Sequence, residues 1–136
     1  MENARSRALD RASAFCARYG FAVPVMLAPM AGACPASLSI AVANAGGMGA
    51  MGALITPPAG IRDWVREFRS NSSGPFQLNL WIPDPTPLRD ADAEERVRTF
   101  LAQWGPAVAA AAGEARLQDF AAQCETLLEL APTAVS

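Results

Sequence analysis

Short apolar runs bounded by proline or glycine alternate along this chain with stretches of helical periodicity, and that alternation constrains its fold more than any other feature. The first run, Val25–Ala28, lies between Pro24 and Pro29; Met48–Leu54, Phe76–Trp81 and the final Thr133–Ser136 follow. Runs this short and this apolar predict buried strands of a parallel sheet. Between them come Pro35–Ala45, with Leu38, Ala41 and Val42 on one side and Gly46-Gly47 to end it, and a helix opened by Thr56 as cap and Pro57 at its first position. That second helix carries Ile61, Trp64, Val65 and Phe68 at amphipathic spacing, and Asn71–Gly74 is a turn. Pro83, Pro85 and Pro87 enforce an extended loop before a helix at Asp90–Trp104, with Ala93, Val97, Phe100, Leu101 and Trp104 in register. The alanine-rich Ala107–Gly113 has no clear period, and Glu114–Ala131 reads as a helix with Leu117, Phe120, Ala121, Cys124, Leu127 and Leu128 on one face. A further helix, Arg5–Arg18, precedes the first strand, with Gly20 as its stop. Strands alternating with crossover helices mean an α/β fold with parallel strands. A doubly wound sheet and a (β/α)8 barrel both fit that order, and periodicity alone does not choose between them.

Composition removes several function classes. Half the residues are apolar (51%), so the chain is not a disordered one. The eleven basic residues, all Arg, are scattered against a net charge of −2, which excludes the basic stripe of a nucleic-acid binder. There is no His, which removes the usual general base and zinc ligand. Cys16, Cys34 and Cys124 are odd in number and lack CxxC spacing, so buried reduced thiols are expected, with no metal site. The charged N-terminus does not resemble a signal peptide, and Phe21–Ala36, the longest apolar stretch, is broken by Pro24, Pro29, Gly32 and Pro35. A cytoplasmic protein without a membrane span is the expectation.

Three segments are candidates for chemistry. Gly47–Gly52 matches G-x-G-x-x-G, but it follows a helix where a dinucleotide fingerprint follows a strand. A helix end running into a small-residue strand explains it better, although a small doubly wound domain with its ligand at these glycines is a competing reading. Ala28-Pro29-Met30-Ala31-Gly32 follows the first strand, at the end where α/β folds bind ligands. Its bend would bring backbone groups and the polarisable Met30 close to a flat molecule. An ordinary βα turn is the alternative. Asn79 interrupts an apolar strand near its C-terminal end; its amide suits a heteroaromatic ring edge or a phosphate, or is satisfied by neighbouring backbone. Gln77 points to the same face one layer deeper. Trp64 and Trp104 occupy core positions of their helices, whereas Trp81 could line a pocket mouth; the acidic stretch Asp84–Glu95 reads as a solvated loop and helix start.

Taken together, Ala28–Gly32, Ala43-Asn44-Ala45-Gly46-Gly47-Met48-Gly49 and Pro75-Phe76-Gln77-Leu78-Asn79-Leu80 resemble the nitronate monooxygenases, formerly 2-nitropropane dioxygenases, over about Phe21–Ser136. The FMN-dependent enoyl reductases share the pattern. The resemblance implies a (β/α)8 TIM barrel that binds FMN at its C-terminal mouth and oxidises alkyl nitronates with dioxygen. It places Ala28, Pro29 and Met30 against the isoalloxazine ring and has Asn79 hydrogen-bond the flavin. It places the phosphate-binding glycines and a histidine base in the second half of the barrel. A typical barrel needs roughly 250 residues. The expectation is therefore a truncated chain: an N-terminal helix at 1–20, then about three and a half βα units at 21–136, with 83–113 an insertion-like loop and helix. Such a partial barrel would expose a strand edge and apolar helix faces. Self-association, or a second chain that completes the barrel, follows; a non-catalytic fragment needing a partner is the alternative.

Overall fold

The computed structural model describes residues 2–85, 88–114 and 118–136. These form two compact units, Met1–Trp81 with Gln118–Ser136, and Ile82–Leu117.

In the first unit, α1 (Glu2–Tyr19) ends at Gly20 and leads to α2 (Ala36–Asn44), β1 (Gly49–Gly52), α3 (Pro58–Asn71), β2 (Phe76–Asn79), α5 (Phe120–Leu130) and β3 (Ala134–Val135). The second unit holds α4 (Ala91–Leu101) and a 3₁₀ turn at Ala110–Glu114. The strands lie in the order β1-β2-β3 and all pair in parallel: Gly49 to Gly52 stand opposite Phe76 to Asn79, and Gln77 and Leu78 opposite Ala134 and Val135. Upstream, Met26 makes a single parallel bridge to Met48. Chain order and spatial order therefore coincide among the described strands. The reversal of order that creates the ligand crevice of a doubly wound sheet is not formed by them.

The first run departs from expectation. Instead of a strand buried on both faces, Val25–Ala28 is an edge segment, with Val25 55% exposed and Met26 42% exposed. It holds the sheet by two bonds, Leu27 N–H to the Met48 carbonyl (2.9 Å) and Met48 N–H to the Val25 carbonyl (3.0 Å). The next ladder donor in this segment would be residue 29, a proline with no N–H. The hydroxyl of Ser39, fully buried on α2, takes that place: it donates to the Ala50 carbonyl (2.7 Å) and accepts from the Ala50 N–H (3.2 Å).

The core lies between the sheet and its helices. Met51, Phe76 and Leu78 pack with Ile61, Trp64, Val65, Phe68 and Leu127. The face of α3 is the one its spacing predicts. Its start lies one residue later, because Pro57 precedes Pro58 and is held extended (φ −66°, ψ 158°), so Pro57 is the cap and Pro58 the first helical residue. The buried face of α2 is Ala36, Ser39 and Ala43, not the stripe through Leu38. That of α5 is Gln123, Thr126 and Leu127, while Leu128 is exposed. The amide of Gln123 donates to the carbonyls of Ala53 (3.0 Å), Leu54 (3.4 Å) and Thr56 (2.8 Å), so it clamps the turn between β1 and α3. α5 begins at Phe120, not near Glu114, because Asp119 accepts the Ala122 N–H and caps it there; Leu117, expected on its face, lies outside the described residues.

In the second unit Asp90 caps α4 through the Ala93 N–H (2.9 Å). Arg89 grips Glu94; this hydrogen bond holds the Glu94 carboxyl below its ordinary pKa, against a smaller opposing effect of desolvation, with the charges of Arg89 and Arg98 adding to it. The apolar stripe of α4 is not buried, and Trp104, expected in a core, is 78% exposed. The few other large apolar side chains described in the unit, Ile82, Leu88 and Val108, are themselves exposed and do not cover the stripe.

Replacing Ser39 by Ala is expected to cost about 1–3 kcal/mol, because both Ala50 backbone groups lose a buried partner. Urea unfolding of the chain measures this, and a loss under about 0.5 kcal/mol would contradict the assigned ladder role.

Candidate functional site

Beyond Leu27 the chain turns away from the sheet through Ala28, Pro29 and Met30. The bend is tied by backbone bonds from Ala33 N–H (3.0 Å) and Cys34 N–H (3.2 Å) to the Met30 carbonyl, and Gly32 supplies the left-handed residue inside it (φ +75°). Cys34, buried just before α2, adds its side chain: Sγ donates to the Ala28 carbonyl (3.3 Å) and accepts from the Met30 N–H (3.4 Å). Its carbonyl receives the indole N–H of Trp64 (3.2 Å), which links the bend to the α3 core.

The bend lies directly on the end of β1. A Cβ on Gly52 would stand 2.5 Å from the Ala31 nitrogen and 3.0 Å from the Met30 carbonyl carbon, an approach that only glycine permits. Gly52 is the register partner of Asn79. Paired residues of a ladder direct their Cβ positions to the same face, so the bend lies over the face that carries the Asn79 side chain. The structure thus gathers Ala28, Pro29 and Met30 into one turn and sets Asn79 one strand away from it, all at the C-terminal end of parallel strands. Met30 and Ala28 are exposed; Pro29 and Asn79 are half-buried. The Asn79 Nδ2 donates to the Ser136 carbonyl (2.9 Å) and hydroxyl (3.2 Å), so part of its capacity goes to its neighbour on the β3 side.

One layer deeper, Gln77 is buried and its Nε2 donates to the Leu27 carbonyl (3.1 Å), crossing β1 on that same face to reach the edge segment. Trp81 is 66% exposed past the end of β2. The glycines of the G-x-G-x-x-G match serve close packing: a Cβ on Gly47 would meet the Val25 carbonyl oxygen at 2.8 Å, and one on Gly49 the Phe68 ring at 2.9 Å. They run into β1, and the next helix opens only at Pro58. The dinucleotide reading therefore lacks its strand-then-helix setting. Cys34 and Gln123 were missed as site-building residues because composition marks the first as an inert thiol and periodicity marks the second as surface. A polar-capable side chain four residues beyond Met30, in the same turn, is the signal that points to Cys34.

Among the described residues, no group of three or more His, Cys, Asp or Glu is placed to hold a metal ion, and no helix is long and apolar enough to cross a membrane. Chemically, the site is a soft apolar turn beside an amide that can both donate and accept.

Residues 14–136 match the family model for nitronate monooxygenase. The chain belongs to the nitronate monooxygenase family. A nitronate monooxygenase of Paraburkholderia phytofirmans is 36% identical over 83 residues, 61% of this chain and 22% of that protein. One from Pseudomonas aeruginosa is 30% identical over 94 residues, 67% of this chain and 27% of its own length. Among solved structures, a nitroalkane oxidase from Streptomyces ansochromogenes superposes with a TM-score of 0.53 at 31% identity, over 61% of this chain and 23% of that one. The chain thus spans about a quarter of the length of these family members.

The close approach at Gly52 makes a direct prediction. Gly52→Ala should lower stability by about 1–3 kcal/mol, since the added methyl meets backbone that cannot rotate aside. Gly105→Ala, with nothing within 4 Å of its Cβ, should be close to neutral. Equal effects of the two substitutions on the urea midpoint would refute the tight seating of the bend.

Proposed function

We propose that these residues form the first part of an FMN-binding (β/α)8 barrel, in an oxidoreductase that oxidises alkyl nitronates with dioxygen. One observation carries this reading: the Pro29–Met30 bend is seated on Gly52, beside Asn79, at the C-terminal ends of strands that follow one another in parallel and in chain order. Family membership and the likeness to a nitroalkane oxidase support it.

The residues fit a flavin on their own chemistry. A flat ring with an apolar face and polar edges needs a soft surface to lie on and a mixed donor–acceptor at its rim. Met30, with its thioether partly open to solvent, and Pro29 provide the surface; the Asn79 amide provides the rim. Nδ2 carries two hydrogens and Oδ1 two lone pairs, so the bonds to Ser136 leave Oδ1 for an N–H of the ring. When bound, FMN would supply the redox chemistry between nitronate and dioxygen. The chain's own residues bind and orient. The Ala28–Met30 backbone limits how deep a ring can sit, and Gln77, already spent on Leu27, closes the floor beneath it. On this reading the histidine base and the phosphate-binding glycines belong to the second half of the barrel, outside these 136 residues. The remaining strands add at the open edges beside Met26 and Val135, from the same polypeptide, a second copy or a completing chain. We place the boundary of the insertion-like segment at about 83–113, between β2 and α5.

Titration of the assembled barrel with FMN, followed by quenching of flavin fluorescence, tests the reading. Binding is expected, and Asn79→Ala should weaken it roughly tenfold, the worth of one hydrogen bond to a polar ring edge. An assembled barrel that leaves flavin fluorescence unchanged, or an Asn79→Ala variant of it that binds as tightly as the parent, would count against it. Oxygen uptake with an alkyl nitronate, measured on the assembled barrel, separates nitronate oxidation from enoyl reduction.

A further inference from the structure

We propose that Cys34 is a positioning residue: its thiol sets the shape of the bend that faces the ring, without touching the ring itself. The proposal rests on the flavin reading above. The bend has a built-in weakness. Pro29 lies at its centre and has no N–H, so no backbone bond can close the turn at that residue. The polar atoms on either side, the Ala28 carbonyl and the Met30 N–H, must find another partner or water. Cys34 Sγ takes both, as donor to the first (3.3 Å) and acceptor from the second (3.4 Å).

Two backbone contacts and burial hold Cys34 in place. The Cys34 N–H donates to the Met30 carbonyl (3.2 Å), the Cys34 carbonyl accepts the Trp64 indole N–H (3.2 Å), and the residue is 7% exposed. Trp64 is itself buried against Phe68 and Phe76. The position of Met30 is therefore referred, through Cys34, to the buried aromatic core of the unit. The distances also suit sulfur better than oxygen. A hydroxyl prefers about 2.7–2.8 Å to a carbonyl, so a serine could not hold both partners without drawing the turn inward.

The test uses the full chain and three variants: Cys34→Ala, Cys34→Val, which keeps bulk without donor or acceptor, and Cys34→Ser. Hydrogen exchange at the Met30 amide reads the thiol contact directly, with no cofactor present. Exchange is expected to be roughly tenfold faster in the Ala and Val variants, with the β1 and β2 amides unchanged and the Ser variant intermediate. FMN affinity of the assembled barrel, read by fluorescence quenching, should weaken by about threefold to tenfold in Ala and Val and recover in part with Ser. Unchanged Met30 exchange in both Ala and Val overturns the proposal. So does faster exchange with unaltered FMN affinity, which would leave Cys34 a merely structural residue. If the assembled parent barrel binds no FMN, the flavin reading fails, and the positioning role falls with it even where the exchange data uphold the thiol contact. If the Ala variant does not unfold cooperatively, the Val variant decides.

Discussion

Everything at the C-terminal end of this sheet depends on the absence of a side chain at Gly52. The Ala31 nitrogen and the Met30 carbonyl carbon occupy the space where a Cβ would stand, at 2.5 and 3.0 Å. Backbone resting on backbone brings the turn after Val25–Ala28 over the end of β1 instead of beside it. That in turn places the turn on the face that carries Asn79. A βα turn held one side-chain radius further out would leave Met30 and Asn79 to separate surfaces. Gly47, just before β1, and Gly49, at its start, repeat the device, against Val25 and against Ser39 and Phe68. A strand thinned of side chains lets three layers approach it, and each approach is a place where only glycine fits.

Close approach alone does not hold these pieces. Proline at 29 ends the ladder on the edge side, and buried polar side chains replace what it removes. Ser39 completes the bonding of Ala50, Gln77 reaches the Leu27 carbonyl, Cys34 closes the bend, and Gln123 gathers three carbonyls of the turn after β1. Among the described residues no buried side-chain nitrogen or oxygen lacks a partner. The polar residues of the interior are therefore concentrated where the backbone's own pairing runs out, at the edge segment and the strand ends. Cys34 and Gln77 bond the Met30 bend and the segment that leads into it, which ties the stability of the first unit to the geometry of that bend.

The parts of the fold that were legible in the sequence are those built from large apolar side chains. Ile61, Trp64, Val65 and Phe68 announce their helix and its buried face, because burial of such residues outweighs every local alternative. The order of elements, the four extended segments and the position of Asn79 at a strand end follow from the same signal. The misread faces share one cause. In α2 the contact side is Ala36, Ser39 and Ala43, away from the expected stripe; in α5 Leu127 of the expected stripe is buried, but beside Gln123 and Thr126, while Leu128 is exposed, so hydrophobicity alone misplaces the first face and turns the second. A hydrophobic stripe also says only that a face can be buried. Trp104 and its neighbours on α4 form a good stripe and remain exposed within their own unit. Of the candidate site, the turn and the amide were legible as separate motifs. Their common face was not, since it arises from a distance of closest approach at Gly52 that no motif encodes.

Gln77 and Asn79 show how position divides one chemistry into two roles. Both are primary amides, two residues apart on the same strand face, with the same capacity to donate and accept. Gln77 lies deeper, in a place water does not reach, and an amide there must be bonded within the protein; its longer side chain crosses β1 on that face to do so. Asn79 lies at the rim, where water or a ligand can serve it, and its shorter side chain reaches only its neighbour across the β2–β3 ladder. Burial has therefore committed the first amide to structure and left the second with bonding capacity toward solvent. That capacity, directed to the same face as the Met30 bend, is what makes Asn79 rather than Gln77 the candidate for binding a polar ring edge.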